Sequence, residues 1–146
     1  MPGIVVGIDG SEHSRHALEW AAREAAVRHA PLTVLTVHQA VAGYWGTPVS
    51  FPGDPDLAKV ALDEARTETD QVLEKLDDAS RPAIVSVRAV TGLPAEVLLD
   101  AANGADMLVV GSRGSGGFKR LLMGSVSTQV THHARCPVVV IPADHT

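Results

Sequence analysis

Short apolar runs rich in β-branched residues alternate with helical patterns along the chain, and this alternation restricts the possible fold more than any other feature. The runs are Ile4–Ile8, Leu32–Val37, Ile84–Val90, Met107–Val110 and Val138–Ile141. Between them, apolar residues recur at the helical period, for example at Leu18, Ala21, Ala22 and Ala25 after a candidate N-cap at Ser11. The alternation predicts a single α/β domain over residues 1–146, built as an open five-stranded parallel sheet with helices on both faces.

The order of the strands follows from how such sheets are wound. Right-handed crossovers leave few topologies. If the first three strands wind outward in one direction and the last two in the other, the order is 3-2-1-4-5. The first and fourth strands are then neighbours where the winding reverses. Because open α/β sheets bind ligands at this switch point, beyond the carboxyl ends of the strands, we expect a ligand site there.

The two strands at the predicted switch point end in similar sequences. Ile4–Ser11 reads IVVGIDGS and Leu108–Ser115 reads LVVGSRGS. Glycine at a strand end keeps side chains out of the way of a ligand. Asp9 and Gly111 are expected to face each other across the cleft, although Asp9 could instead serve only to cap the first helix.

The segment after the fourth strand is basic, rich in glycine and free of acidic residues. No Asp or Glu occurs between Asp106 and Asp144, whereas four arginine or lysine residues do. Its glycines allow backbone N–H groups to turn inward around phosphate oxygens, and a helix that opens near Ser125 adds a positive dipole end. The net charge of −5 argues against nucleic acid, so a small anion is expected. A glycine-rich loop that is basic by chance is the alternative.

Three common motifs do not fit this segment. A Walker A loop needs Gly-Lys-Ser/Thr, but Gly116 is followed by Gly117 and Phe118. The dinucleotide fingerprint needs a glycine where Lys119 stands. No serine here has the flanking glycines of a nucleophile elbow. A phosphate site of another type is therefore indicated.

The glycine spacing resembles the nucleotide motif of the universal stress protein family. That motif is a glycine, two residues, a second glycine, nine residues and then Gly-Ser or Gly-Thr, and Gly111, Gly114 and Gly124-Ser125 match it. GIDGS at 7–11, VTGLPAEVLLDAA at 90–102 and CPVVVI at 136–141 also resemble family segments. The resemblance covers the whole chain. It implies a Rossmann-like fold similar to that of the adenine nucleotide alpha hydrolases, with ATP as the ligand.

The resemblance also implies roles for individual residues. Asp9 would meet the ribose or adenine end of the nucleotide, Val37 would offer backbone groups to the adenine, and the start of the helix at 124–127 would hold the β- and γ-phosphates. Mg²⁺ would be held through the phosphates. The expected nucleotide-binding residues are Gly7, Ile8, Asp9, Val37, Val110, Gly111, Ser112, Arg113, Gly114, Ser115, Gly116, Gly117, Gly124, Ser125, Val126 and Ser127.

Four functions stay open from the sequence: an ATP-binding regulator of a stress response, a slow ATPase, a cyclic AMP-binding protein, and a scaffold that binds no nucleotide. The acid-free loop has no Asp, Glu or Gln to orient an attacking water, and Gln129 lies a turn into the following helix, which favours binding over turnover. A cyclic nucleotide has one phosphate and would leave Ser125 and Ser127 without a role, which favours ATP.

The remaining expectations concern partners and location. The run 138–141 predicts an edge strand, and the resemblance implies a two-fold homodimer through it. A single cysteine, Cys136, and the lack of signal-like or membrane-spanning runs favour the cytoplasm and no membrane partner. Tyr44 and Trp45, in a long loop over 39–56, could cover the adenine or contact a protein partner.

Overall fold

The alternation of strands and helices predicted from the sequence is confirmed by a computed structural model, which describes residues 3–38, 41–42, 48–49, 55–112 and 125–142. The strands are β1 (Ile4–Ile8), β2 (Leu32–His38), β3 (Val41–Ala42), β4 (Pro48–Val49), β5 (Val85–Thr91), β6 (Met107–Gly111) and β7 (Val138–Ile141). The helices are α1 (Glu12–Arg28), α2 (Pro55–Glu74), α3 (Pro94–Ala102) and α4 (Ser125–His133), with a 3₁₀ turn at Asp78–Ser80.

Five strands form one parallel sheet in the order β5-β2-β1-β6-β7, which is the predicted order 3-2-1-4-5. Ile4 of β1 pairs with Leu32 on one side and with Met107 on the other, so β1 and β6 are the neighbours at which the winding reverses. The remaining two strands, β3 and β4, form a short antiparallel ladder within the segment predicted only as a loop.

Helices cover both faces of the sheet and produce two apolar clusters. Alternate residues of β1 point to opposite faces, so Ile4 and Val6 pack with α1 while Val5 packs with α3. The central strands are buried on both faces, which explains why their sequences are continuously apolar rather than alternating. Among the described residues, no helix has both the length and the apolar character needed to cross a bilayer.

The structure defines both ends of α1 and the start of α4. Ser11 is the N-cap of α1, as predicted, and its hydroxyl accepts a hydrogen bond from the Ser14 N–H at 3.2 Å. The helix ends at Arg28, where His29 adopts a left-handed conformation with φ of 54°. Helix α4 is described from Ser125 onward, which agrees with the predicted opening of a helix near this serine.

Candidate functional site

Strand β1 ends in a turn that fixes the carboxylate of Asp9. Asp9 Oδ1 accepts hydrogen bonds from the N–H of Ser11 at 3.0 Å and from its hydroxyl at 2.6 Å. The Asp9 N–H donates to the hydroxyl of Ser14 at 3.2 Å. Gly10 has φ of 84°, a conformation that favours glycine, so the chain can turn sharply into α1. The turn places an exposed carboxylate at the carboxyl end of β1.

Strand β6 ends beside this turn, at Gly111 and Ser112. The pairing of β1 with β6 is followed through Val6 and Val109, and the same register continued would bring Asp9 level with Ser112. The Ser112 N–H donates to the carbonyl oxygen of Ile141 at 2.8 Å. That backbone donor is therefore used within the sheet, and a phosphate contact through it would require this bond to open.

A hydrogen bond connects the start of α4 to the end of β6. The hydroxyl of Ser127 donates to the carbonyl oxygen of Ser112 at 3.2 Å, and both residues are buried. Ser112 and Ser127, which lie on either side of the segment 113–124, are therefore held together. The start of α4 brings the positive end of the helix dipole to this edge.

Strand β2 extends beyond β1 at the same edge of the sheet. The ladder between β1 and β2 ends at the pair Ile8–Thr36. On its other side β2 continues to pair with β5 through Val37–Val90 and His38–Thr91. The side of Val37 that faces β1 thus lies past the last pair of that ladder, as the predicted backbone contact with adenine requires.

Two residues of the predicted set are involved mainly in packing. A Cβ atom on Gly7 would lie 2.8 Å from Leu98 Cδ2, so the missing side chain of Gly7 makes room for α3. Val110 is a core residue packed among apolar side chains on the same face. Nucleotide contacts at these positions would therefore have to come from the backbone. The predicted residues Arg113, Gly114, Ser115, Gly116, Gly117 and Gly124, together with Tyr44 and Trp45, lie outside the described residues.

Sequence reasoning missed two polar residues at this edge. Ser14 is buried and bonds the Asp9 turn, and its position three residues after the N-cap was an available signal. Glu68 of α2 is also buried, at 8% exposure. It follows Ala65 by three residues and precedes Val72 by four, so the helical period of the apolar residues placed it on the inner face.

The environment of Glu68 affects its ionisation. Burial raises the pKa of the Glu68 carboxyl group, the Arg15 guanidinium lowers it, and the negative charge of Asp9 raises it further, with a net rise. Arg15 Nε lies 3.6 Å from Glu68 Oε1. A charged cluster of Asp9, Arg15 and Glu68 therefore borders the candidate site. Within the described parts of the chain, no group of three or more His, Cys, Asp or Glu side chains could hold a metal ion.

An open parallel sheet with polar turns and a helix N-terminus at its switch point defines a Rossmann-like α/β protein with a candidate ligand site at that point. Residues 2–142 match the sequence model of the Universal stress protein family. The chain therefore belongs to the universal stress protein family, as its motif spacing predicted.

Three relatives illustrate the similarity. A universal stress protein of Mycolicibacterium smegmatis is 37% identical over 97% of this chain, which covers 48% of that protein. A solved structure of a universal stress protein in complex with cAMP is 28% identical, with a TM-score of 0.66 over 97% of this chain and 96% of the other. The universal stress protein of Archaeoglobus fulgidus in complex with dAMP is 25% identical, with a TM-score of 0.64 over 97% of this chain and 98% of the other. The chain spans about half the length of the curated relatives it matches.

Proposed function

We propose that this protein binds an adenine nucleotide, with ATP as the ligand, and acts as a regulator in a stress response. The nucleotide would lie at the edge of the sheet where β1 and β6 end. The observation that carries the proposal is the hydrogen bond from Ser127 to the Ser112 carbonyl. It holds together the described residues on either side of the glycine-rich segment, whose spacing matches the nucleotide motif of the family, and so keeps the start of α4 beside the end of β6.

The other residues at this edge suit the two ends of a nucleotide. The Asp9 carboxylate can accept hydrogen bonds from ribose hydroxyls or an adenine amino group. The backbone of Val37 extends beyond the end of β1, at a position where an adenine edge could pair with it. The opposite end of the ligand, its phosphates, would meet the N-terminus of α4 and the basic, acid-free segment. Recognition at both ends would select a nucleotide over free phosphate.

Mg²⁺ would enter with the ligand rather than bind to the protein alone. Magnesium usually keeps several waters and binds through substrate phosphates and one or two carboxylates. Asp9 would supply a carboxylate to such a site from the end of β1. It accepts hydrogen bonds from Ser11, so the residues present suit an ion carried mainly by the phosphates. When bound, Mg²⁺ would neutralise part of the phosphate charge.

A cyclic nucleotide is the second candidate, because a relative of similar length and fold was solved in complex with cAMP. The two ligands differ in what they require of α4. ATP carries β- and γ-phosphates that would contact Ser125, which is exposed at the start of the helix. A cyclic monophosphate would not extend to that serine. The Ser125 hydroxyl therefore distinguishes the two ligands.

Isothermal titration of the full chain with Mg-ATP and with cAMP tests the proposal. We expect Ser125→Ala to weaken ATP binding by about tenfold, which corresponds to one charge-assisted hydrogen bond, and to leave cAMP binding unchanged. Thr131→Ala is the matched control, since Thr131 lies exposed near the end of α4 and bonds only locally to the Thr128 carbonyl. Tighter binding of cAMP than of ATP would favour the second candidate, and binding of neither would reject both.

The proposal includes a homodimer and a cytoplasmic location. Strand β7 pairs only with β6 within the described sheet, so its outer edge is available for pairing. A second copy related by a two-fold axis would cover that edge. Light scattering coupled to size exclusion should give twice the chain mass of 15.3 kDa. A monomer at every concentration would contradict the dimer without affecting the nucleotide proposal.

A further inference from the structure

Glu68 carries a buried carboxyl group that the proposed nucleotide contacts do not use. It lies in the middle of α2, next to the buried residues Ala65 and Thr69. The Thr69 hydroxyl donates to the Ala65 carbonyl oxygen at 2.7 Å and so is not directed to Glu68. Among the described residues, Glu68 Oε1 accepts no hydrogen bond. A buried acceptor without a partner is costly, so its presence calls for an explanation.

The charged groups nearest to Glu68 belong to the turn that carries Asp9. Arg15 Nε is 3.6 Å from Glu68 Oε1, which is an ion pair but too long for a hydrogen bond. The Arg15 N–H donates to the Ser11 carbonyl oxygen at 3.1 Å, and the Ser11 hydroxyl bonds Asp9. The Arg15 side chain is 49% exposed, so its guanidinium can turn away from Glu68 at little cost.

Other titratable groups lie around this cluster. In the groove between α1 and α2, which Arg15 also lines, they are Glu12, His16, Glu19 and Lys75. The two strands packed against α2 carry His38 and Arg88. Among the charged groups of the described residues, Arg15 lowers the pKa of Glu68 and Asp9 raises it. The ionisation of Glu68 therefore depends on the charge of Asp9, at the end of β1.

We propose that Glu68 is a positioning residue for the nucleotide site, and that its buried carboxyl group takes up a proton from solvent when the nucleotide binds beside Asp9. This inference rests on the proposed function. A nucleotide whose ribose end covers Asp9 would exclude water from this cluster, which strengthens the repulsion between Asp9 and a carboxylate that is already poorly solvated, so binding favours the protonated form. Protonation removes that repulsion and leaves the Arg15 charge to compensate Asp9.

Linkage fixes the direction of the pH effect. If nucleotide binding promotes protonation of Glu68, then protonation of Glu68 must tighten nucleotide binding by the same factor. Affinity should therefore rise as the pH falls into the range in which Glu68 takes up its proton. That range lies above the ordinary glutamate pKa, because burial and the charge of Asp9 outweigh Arg15.

Calorimetric titration with Mg-ATP, in pairs of buffers that differ in ionisation enthalpy, measures the protons taken up on binding. Glu68→Gln keeps the shape of the side chain and removes the titration. Glu74→Gln is the matched control, since Glu74 lies exposed near the end of the same helix. As the pH is lowered from 7.5 toward the ordinary glutamate pKa of about 4.3, we expect wild type and Glu74→Gln to gain about fivefold in affinity relative to Glu68→Gln, with proton uptake that Glu68→Gln lacks.

The possible outcomes separate the two proposals. Equal proton uptake by wild type and Glu68→Gln, with ATP bound by both, overturns this inference alone. No ATP binding by any of the three proteins at any pH overturns the proposed function and this inference with it. A carbon-detected NMR titration of the Glu68 carboxyl in the wild-type protein avoids any effect of the substitution on folding. Its midpoint should move to higher pH on adding Mg-ATP, and an unchanged midpoint with ATP bound would also overturn the inference.

Discussion

A Cβ atom on Gly111, at the end of β6, would lie 3.1 Å from the carbonyl oxygen of His13 in the first turn of α1. It would also lie 3.2 Å from the carbonyl carbon and 3.3 Å from Cβ of the same residue. A side chain at residue 111 would therefore press on the backbone at the start of α1, which would have to shift by a few tenths of an ångström. The close approach of Gly111 to His13 links the end of β6 to the end of β1, because α1 begins directly after the Asp9 turn that ends β1.

Substitution of Gly111 by alanine should move α1 away from β6. Backbone atoms cannot yield as a flexible side chain does, so we expect a loss of about 1–3 kcal/mol in the free energy of unfolding. Because the displacement acts on the Asp9 turn, ATP affinity should fall as well. Urea denaturation and ATP titration measure the two effects.

The control for that substitution is Gly104→Ala, at the turn after α3. Gly104 has φ of 83° and open space around it, so alanine there is strained without colliding with anything. A loss of about 1 kcal/mol is expected with no change in ATP affinity. If Gly111→Ala unfolds at the wild-type urea concentration, the close contact between α1 and β6 is not required.

The bond from Ser127 to Ser112 leads to a second prediction. In Ser127→Ala the buried Ser112 carbonyl oxygen loses this donor, which should cost about 1–3 kcal/mol. The start of α4 would no longer be held to β6, and ATP affinity should fall together with stability. Thr131→Ala, which removes an exposed hydroxyl from the same helix, should change stability by less than about 0.5 kcal/mol. Equal effects of the two substitutions would contradict the role assigned to Ser127.

Glu68 makes stability depend on pH in a defined direction. Its raised pKa means that the folded protein binds this proton more tightly than the unfolded chain does. The stabilising effect of the proton is complete below the ordinary glutamate pKa of about 4.3. It is lost as the pH rises through the higher value in the folded state. At neutral pH the ionised group is therefore unfavourable.

Glu68→Gln should consequently be more stable than wild type at pH 7, by about 1 kcal/mol. The gain should shrink as the pH is lowered toward about 4.3, because wild-type Glu68 is then protonated too. Urea midpoints at several pH values provide the measurement, with Glu74→Gln as the exposed control. A gain that grows at lower pH would show that the sign of the effect has been misassigned.

The strand order could be predicted from the sequence because burial on both faces leaves a clear signal. Runs such as Ile4–Ile8 and Met107–Gly111 are apolar throughout, and the handedness of crossovers then restricts their order. The exact ends of the helices are harder to predict from the sequence. The stop of α1 at Arg28 depends on a left-handed His29, a conformation that few non-glycine residues adopt, although histidine is among those that adopt it more often.

The roles of single residues in the site depend on tertiary contacts that no local pattern encodes. Gly7 is a predicted nucleotide contact, and only the structure shows that the space where its side chain would lie is filled by Leu98 of α3. Glu68 lies on the same face of α2 as Ala65 and Val72 and is buried, but a search for apolar residues at the helical period passes over a glutamate. In contrast, the family could be inferred from the sequence because glycine spacing is a local property.

Native mass spectrometry of the purified full chain, with and without added Mg-ATP, tests the central claim most directly. We predict one adduct of ATP mass per chain, which is lost in Gly114→Asp because a carboxylate within the glycine motif would repel the phosphates. An adduct of equal abundance in wild type and Gly114→Asp, or no adduct even with added Mg-ATP, would contradict nucleotide binding at this edge of the sheet.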